Sequence, residues 1–501
     1  MTSKLKSVYE FNKDISDYIV EIENFFNDFK DEKEDKLNQK IKFDLNFEGD
    51  TLYLGIIFER GYPHTLLFHI RNLLLKNFGR KYKLTVKEIS ITSYEIEFTL
   101  DKEPLNPIHI PYVDEIEFHE KKCKIVFTQI MDESFIKENY INRIVKRIIE
   151  KIDQQHYEGK GEYSEILWRS EKKEMVWNED PSKVMLDKGW ITHAETKGKY
   201  FFGPQAAKII QAMRKIVYDE ILQPMNFKEV IEPHHESFST LLKTGHLEGV
   251  PMEVYYICEP KTRNPKEWES FIDKLKISLE VPYDELMEML SPPNAINCYV
   301  QCPNIYEYFS GKTIADDDFP ILIYDGTAVS NRYESGGRHG IERMDEFHRI
   351  EIVYIGTKEQ LVEVKDKLIE RYSYIFNEIL ELEWRMAWVT PFYMQHSGLV
   401  GLDDETQRIK GTIDFETYLP YRGSREDSEW LEFQNLSIVG DKYTDAFNIK
   451  AQKLDLWSGC SGVGLERWTI SFLAQKGLNP KNWPDKFRKI VGDLPEPFTF
   501  Y

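Results

Sequence analysis

The stretch from Asn331 to Gly356, NRYESGGRHGIERMDEFHRIEIVYIG, constrains the chain more than any other. It reads as two β-strands joined by a long glycine-bearing loop. Side chains alternate across a strand, so Arg332 and Glu334 share one face of the first strand. On the second, Phe347, Arg349, Glu351, Val353 and Ile355 share a face. One sheet surface thereby presents a fixed cation, an acceptor for an amino group, an aromatic plate and a carboxylate. That set suits a nucleotide, with guanidinium on phosphate, carboxylate on an exocyclic amine and ring against ring.

Two further stretches add to it. In Trp457–Gly477, WSGCSGVGLERWTISFLAQKG, a strand ends in small residues. A helix is expected to start near Gly462, with Leu465, Trp468, Phe472 and Leu473 as its apolar face and Gly477 as its stop. Arg467 falls in its first turns. The glycines permit either close approach of a ligand to backbone or a tight strand-to-helix packing turn. Upstream, Ala206 to Met225 is amphipathic, with Ile209, Ile210, Met213, Ile216, Val217 and Ile221 at helical spacing. A short strand, KEVIEP, follows and ends at Pro233.

Between these, residues 264 to 290 read as an insertion of two short helices. Asn264 caps the first, Pro265 fits its opening position and Glu267 completes a capping-box spacing; Val281-Pro282 breaks the chain before the second. Asp284, Glu285 and Glu288 leave this helix-turn-helix shape without a basic recognition face, so no DNA partner is expected.

Together the R-x-E hairpin with its returning F-x-x-x-E strand, the helix–strand–proline segment and the G-x-G-x-E-R segment resemble motifs 2, 1 and 3 of class II aminoacyl-tRNA synthetases. The wider chain is similar to the atypical, zinc-dependent seryl-tRNA synthetases of methanogenic archaea. The resemblance implies an α+β chain whose catalytic domain, residues 166–501, is built on a mostly antiparallel sheet. It implies ATP-dependent activation of serine to seryl-adenylate, then transfer to the 3′ end of tRNA(Ser), by a cytoplasmic homodimer. Arg332 and Arg467 are implied as catalytic. Arg332, Glu334, Arg343, Phe347, Glu432 and Arg467 would contact ATP, with Mg2+ bridging its phosphates. Arg332, Glu351 and Asn435 would contact L-serine. Cys302, Glu351 and Cys460 would hold one catalytic Zn2+ that anchors the serine amine. Taken from the residues alone, Asn435 is equally an alternating strand position, and a single buried cysteine is a small apolar residue. Cys123 and Cys258 read as structural; Cys298 forms only a C-x-x-x-C with Cys302. Residues 395–410 read as a polar loop, either ordered by substrate or plain surface.

Residues 1–165 form a separate expected domain, α+β with an antiparallel sheet. After a first forty residues that read as helical and then highly charged, IKFDLNF, TLYLGIIF, KLTVKEISI, SYEIEFTL, DEIEFHE and CKIVFTQI alternate as strands. A helix is expected from Pro63 to Phe78, stopped by Gly79, and another from Glu133 to Ile152. Residues 153–165 read as a linker. The net charge of −20 taken alone argues against nucleic acid. Yet Arg60 to Lys87 holds seven Lys/Arg and no Asp or Glu. Arg71, Lys76, Arg80 and Lys81, with Arg143, Lys146 and Arg147 on one helical face, suit tRNA phosphates or ordinary solvation. Five scattered cysteines fit a reducing compartment, and no run approaches the roughly 18 apolar residues of a membrane span. Two other readings stay open. An amino acid ligase of the same catalytic fold would load a carrier protein, which the N-terminal extension disfavours. A non-catalytic synthetase-like protein would be expected to lose the motif residues that are present here.

Overall fold

The computed structural model describes residues 2–128, 131–156, 164–334, 337–389, 411–426, 428, 430–496 and 498. Two compact units divide the chain, Met1–Lys160 and Gly161–Tyr501.

The smaller unit is a six-stranded sheet, antiparallel throughout. Its first strand, Thr2–Phe11, corrects the expectation of a helical start. The alternation there is hidden because serines fill two inward positions. Ser3 Oγ donates to the Gly61 carbonyl and Ser7 Oγ to the Leu54 carbonyl, so both polar atoms are satisfied inside the sheet. The two segments expected around Ile91 and Ile96 are one strand, Val86–Thr99. The helix from Pro63 does not stop at Gly79. It passes through a π-turn, Leu75–Gly79, to Tyr82, and Lys83 ends it in the left-handed region with φ 52°. A Cβ on Gly79 would meet Leu75 Cδ1 at 2.9 Å, so the leucine would have to shift. The second expected helix is split into Glu133–Lys137, capped by Asp132, and Tyr140–His156, with Asn139 left-handed between them.

In the larger unit a nine-stranded sheet runs through Lys228–Glu229, Ile321–Asp325, Glu346–Gly356, Trp457–Gly464, Leu431–Gly440, Gly411–Thr417, Trp384–Val389 and Ser164–Arg169, with Val329–Asn331 paired beside Glu346–Gly356. Only the pairing of Lys228–Glu229 with Ile321–Asp325 is parallel. Because Ser164–Arg169 pairs with Trp384–Val389, the boundary between units falls a few residues before the expected one. Helices Pro204–Val217, Lys358–Tyr374 and Leu465–Lys476 contribute to one core cluster with the sheet. The other cluster takes in Cys302, Ile305, Tyr306, Val353, Ile355 and Cys460.

The insertion forms as expected, a 3-10 turn Pro265–Trp268, then helices Glu269–Ser278 and Tyr283–Met289. Asn264 Oδ1 accepts from the Lys266 amide and its Nδ2 donates to Glu267. Neither helix buries a residue; Ile277 and Leu279 are largely exposed. Among the described residues no helix is long and apolar enough to cross a membrane. The 395–410 loop lies outside the described residues, as do residues 157–163 of the linker.

Candidate active site

Strand register assembles the site. Glu346–Gly356 and Trp457–Gly464 run antiparallel, with Glu351 opposite Gly462 and Val353 opposite Cys460. Glu351 and Cys460 are therefore diagonal neighbours on one face. Cys302 arrives from the start of the helix Cys302–Tyr308. Ligand atoms of Cys302, Glu351 and Cys460 all lie within 4.8 Å of one another, and all three residues are buried.

Arg349 Nε donates to Glu351 Oε2 at 2.6 Å, while Glu351 Oε1 is buried without a partner. Burial pushes the Glu351 carboxyl up and Arg349 opposes it. An unpartnered buried carboxylate oxygen between two thiols fits a soft divalent metal. Zn–S bonds of about 2.3 Å set two thiolates of a tetrahedral site about 3.8 Å apart, within the span observed here. Three protein ligands would leave one position of a tetrahedral site for a further ligand. The Cys302 thiol is held well above its ordinary value by the Cys460 thiol beside it and by burial.

A cavity of about 300 Å3 opens beside the trio, lined by Cys302, Cys460, Arg332, Glu334, Glu432 and Asn435 among others. The regular strand Val329–Asn331 ends one residue before Arg332, whose backbone pairs instead with Val254. Arg332 Nε and Nη2 both donate to Glu334 Oε1, at 3.1 and 2.7 Å. Arg467 Nη2 reaches both oxygens of Glu334 at 2.9 Å, and Arg343 Nε reaches Oε2 at 3.2 Å. Burial raises Glu334, but Arg467, Arg332 and Arg343 outweigh it and hold the carboxyl down at about 2. Arg467 also bonds Glu432 at 3.3 Å. Asn435 Nδ2 donates to Glu432 and its Oδ1 accepts from the Gly462 amide.

The helix after these glycines starts at Leu465, later than expected, because Gly462 is still strand. The two glycines differ in purpose. A Cβ on Gly462 would lie 1.7 Å from Arg349 Nη2, whereas one on Gly464 meets only Arg467 Cβ at 3.7 Å. Gly462 is what lets Arg349 lie under Glu351.

Arg349 and Glu351 meet on one face of the strand, and Phe347, at the strand's start, belongs to a core cluster that includes Ile341 and Met344. Its ring centre lies 5.2 Å from the Arg332 guanidinium, and it borders a narrow cleft with Glu334, Arg343 and Arg467.

Sequence reasoning missed the residues that hold Arg332. Its guanidinium lies 5.2 Å from the Tyr299 ring, and Tyr299 OH donates to Glu253 at 2.9 Å. No spacing links these segments, so no pattern could flag them. His246, buried in the same cavity with its Nδ1 on Thr244, is held neutral, down at about 3, by burial and by Lys442, Arg332 and Arg349.

In the smaller unit, Lys76, Arg80, Lys81, Arg143, Lys146 and Arg147 are exposed. Arg71 is half-buried and tied to Glu133 at 2.7 Å. Lys146 and Arg147 both approach Glu150.

A sequence-family model described as a tRNA-binding domain matches residues 1–150. The type-2 serine–tRNA ligase of Methanococcoides burtonii is 44 % identical over 87 % of this chain and 86 % of its own length. That of Methanothrix thermoacetophila is 43 % identical over 90 % of this chain and 89 % of its own. Among solved structures, that of A. aeolicus tRNASec in complex with M. kandleri SerRS superposes with a TM-score of 0.84 at 25 % identity, covering 100 % of this chain and 98 % of that one. By this sequence identity and coverage, the chain belongs to the type-2 serine–tRNA ligase family of class II aminoacyl-tRNA synthetases.

Proposed function

We propose that this chain activates L-serine with ATP and transfers it to tRNA(Ser). The observation that carries the reading is one cavity lined by two thiols, Arg332 and Arg349, with a buried, half-partnered carboxylate beside it.

Cys302, Glu351 and Cys460 would hold zinc, which when bound supplies a Lewis-acid position for the neutral amine of the amino acid. Arg349, by engaging one oxygen of Glu351, turns the other toward the thiols. Asn435 lines the cavity beside Glu432 and is suited to a small hydroxyl. The serine carboxylate attacks the α-phosphorus of ATP, forming the acyl–phosphate bond as pyrophosphate leaves. Arg332 stabilises charge on the carboxylate and α-phosphate, and Arg343 and Arg467 hold the outer phosphates, with Mg2+ accompanying ATP. All three guanidiniums rest on Glu334, an anion whose place the ATP phosphates would take. The cleft at Phe347 is narrow, so adenine stacking on Phe347 and bonding to Glu334 requires Arg343 or Arg467 to swing away first.

The exposed cations of the smaller unit are suited to tRNA phosphates, with Arg71 partly neutralised by Glu133. A homodimer is supported by the motif 1 segment and by the uncovered apolar residues of the insertion. ATP–pyrophosphate exchange tests the reading with serine, threonine, glycine and alanine. Serine-dependent exchange is expected, with threonine excluded by its extra methyl group. Exchange with glycine or alanine would instead identify a carrier-loading ligase, and none with any amino acid a non-catalytic relative.

A further inference from the structure

Near the start of the Tyr140–His156 helix, three aromatic rings form a cluster open to solvent. Phe135 and Tyr140 stack with centroids 4.8 Å apart and planes at 21°. Tyr112 stands edge-on to both, at 6.0 and 5.8 Å. Arg143 lies over the Tyr140 ring at 4.8 Å. Tyr112 is 67 % exposed, and its φ of 68° is a left-handed conformation that costs energy in a bulky residue. Its ring meets two neighbours edge-on, yet the residue stays largely open to solvent. Sites that hold such strain are often sites of binding.

The rings wall a cavity of about 330 Å3. Phe127 and Met131 are its buried apolar floor, and Glu88, Asp114 and Asp132 stand around it. Carboxylates exclude a phosphate from this cavity but accept from the amino edge of a base. The cations lie next to it, at Arg143, Lys146 and Arg147 on the following turns of the same helix.

We infer that this cavity takes one unpaired nucleobase of bound tRNA, stacked on Tyr112 with its amino edge on the carboxylates. Guanine fits best, because N1–H and N2–H both donate from one edge. Unpaired bases splayed onto aromatic side chains are a general mode of RNA recognition. The inference rests on tRNA being the partner.

The test measures binding of a tRNA(Ser) transcript to the full chain over a salt series, for wild type, Tyr112→Ala and Tyr112→Phe. Loss of one stacked base weakens binding by about 5- to 100-fold, so Tyr112→Ala is expected to fall in that range. Its salt dependence should match wild type, because no phosphate contact is lost. Tyr112→Phe should bind as wild type does, and serine-dependent exchange should be unchanged in both variants. Unchanged affinity in Tyr112→Ala, or a loss in Tyr112→Phe equal to that in Tyr112→Ala, would overturn the stacking site and leave the ligase reading intact. Failure of wild type to bind tRNA would overturn the partner itself, and the stacking site with it.

Discussion

On the Tyr140–His156 helix, Arg143, Lys146 and Arg147 are exposed, whereas Arg332, Arg349 and Arg467 of the larger unit are largely buried against carboxylates. The same charge is used in two ways. A surface cation is screened by salt and can be replaced by its neighbours, so it contributes affinity in small increments. A buried guanidinium has one geometry, fixed by partners that would otherwise be left uncompensated. Glu334 holds three such arginines at once, and Arg349 and Glu351 hold each other. Substitutions should therefore be severe in the larger unit and graded in the smaller.

The strongest way to break this contrast is Gly462→Ala. Its methyl group would overlap the Arg349 guanidinium, so Arg349 must leave Glu351. Serine-dependent exchange should fall below detection, while Gly464→Ala, which meets only an ordinary contact, should retain most of it. Next is Arg467→Ala, which removes a cation from the triphosphate site. A loss of about 100- to 1,000-fold in kcat/KM for ATP is expected from steady-state kinetics. In the smaller unit, Lys146→Ala should weaken tRNA binding only a few-fold and reduce the slope of log affinity against log salt by about 1.

How much of this was legible in the sequence follows the same division. Arg332, Glu334 and Arg467 sit in dense local patterns, and the structure brings them together in one ion-pair cluster. Cys302, Glu351 and Cys460 have no meaningful spacing; only the resemblance united them, and the sheet register explains why they meet. Tyr299 and Glu253 were invisible because they belong to segments with no shared period. The Thr2–Phe11 strand was misread because burial of Ser3 and Ser7 depends on carbonyls supplied by distant residues.

A smaller effect sharpens the comparison at the edge of the site. His348 Nδ1 lies 2.6 Å from the buried Glu466, and that bond raises the imidazole above its ordinary 6.5 despite burial. A raised folded value means the pair stabilises fully below 6.5 and is lost as pH rises through the raised value. Chemical denaturation of wild type and His348→Asn should therefore show a stability difference below pH 6.5 that shrinks in alkaline buffer.

The most direct test of the buried region is the zinc content of purified protein, measured by elemental analysis in wild type, Cys302→Ser, Cys460→Ser and Cys298→Ser. Cys298 is a neighbouring buried thiol outside the trio. One zinc per chain in wild type and Cys298→Ser, lost in Cys302→Ser and Cys460→Ser, is the predicted result. Zinc retained in the Cys302 and Cys460 variants, or absent from wild type after reloading, would contradict the site.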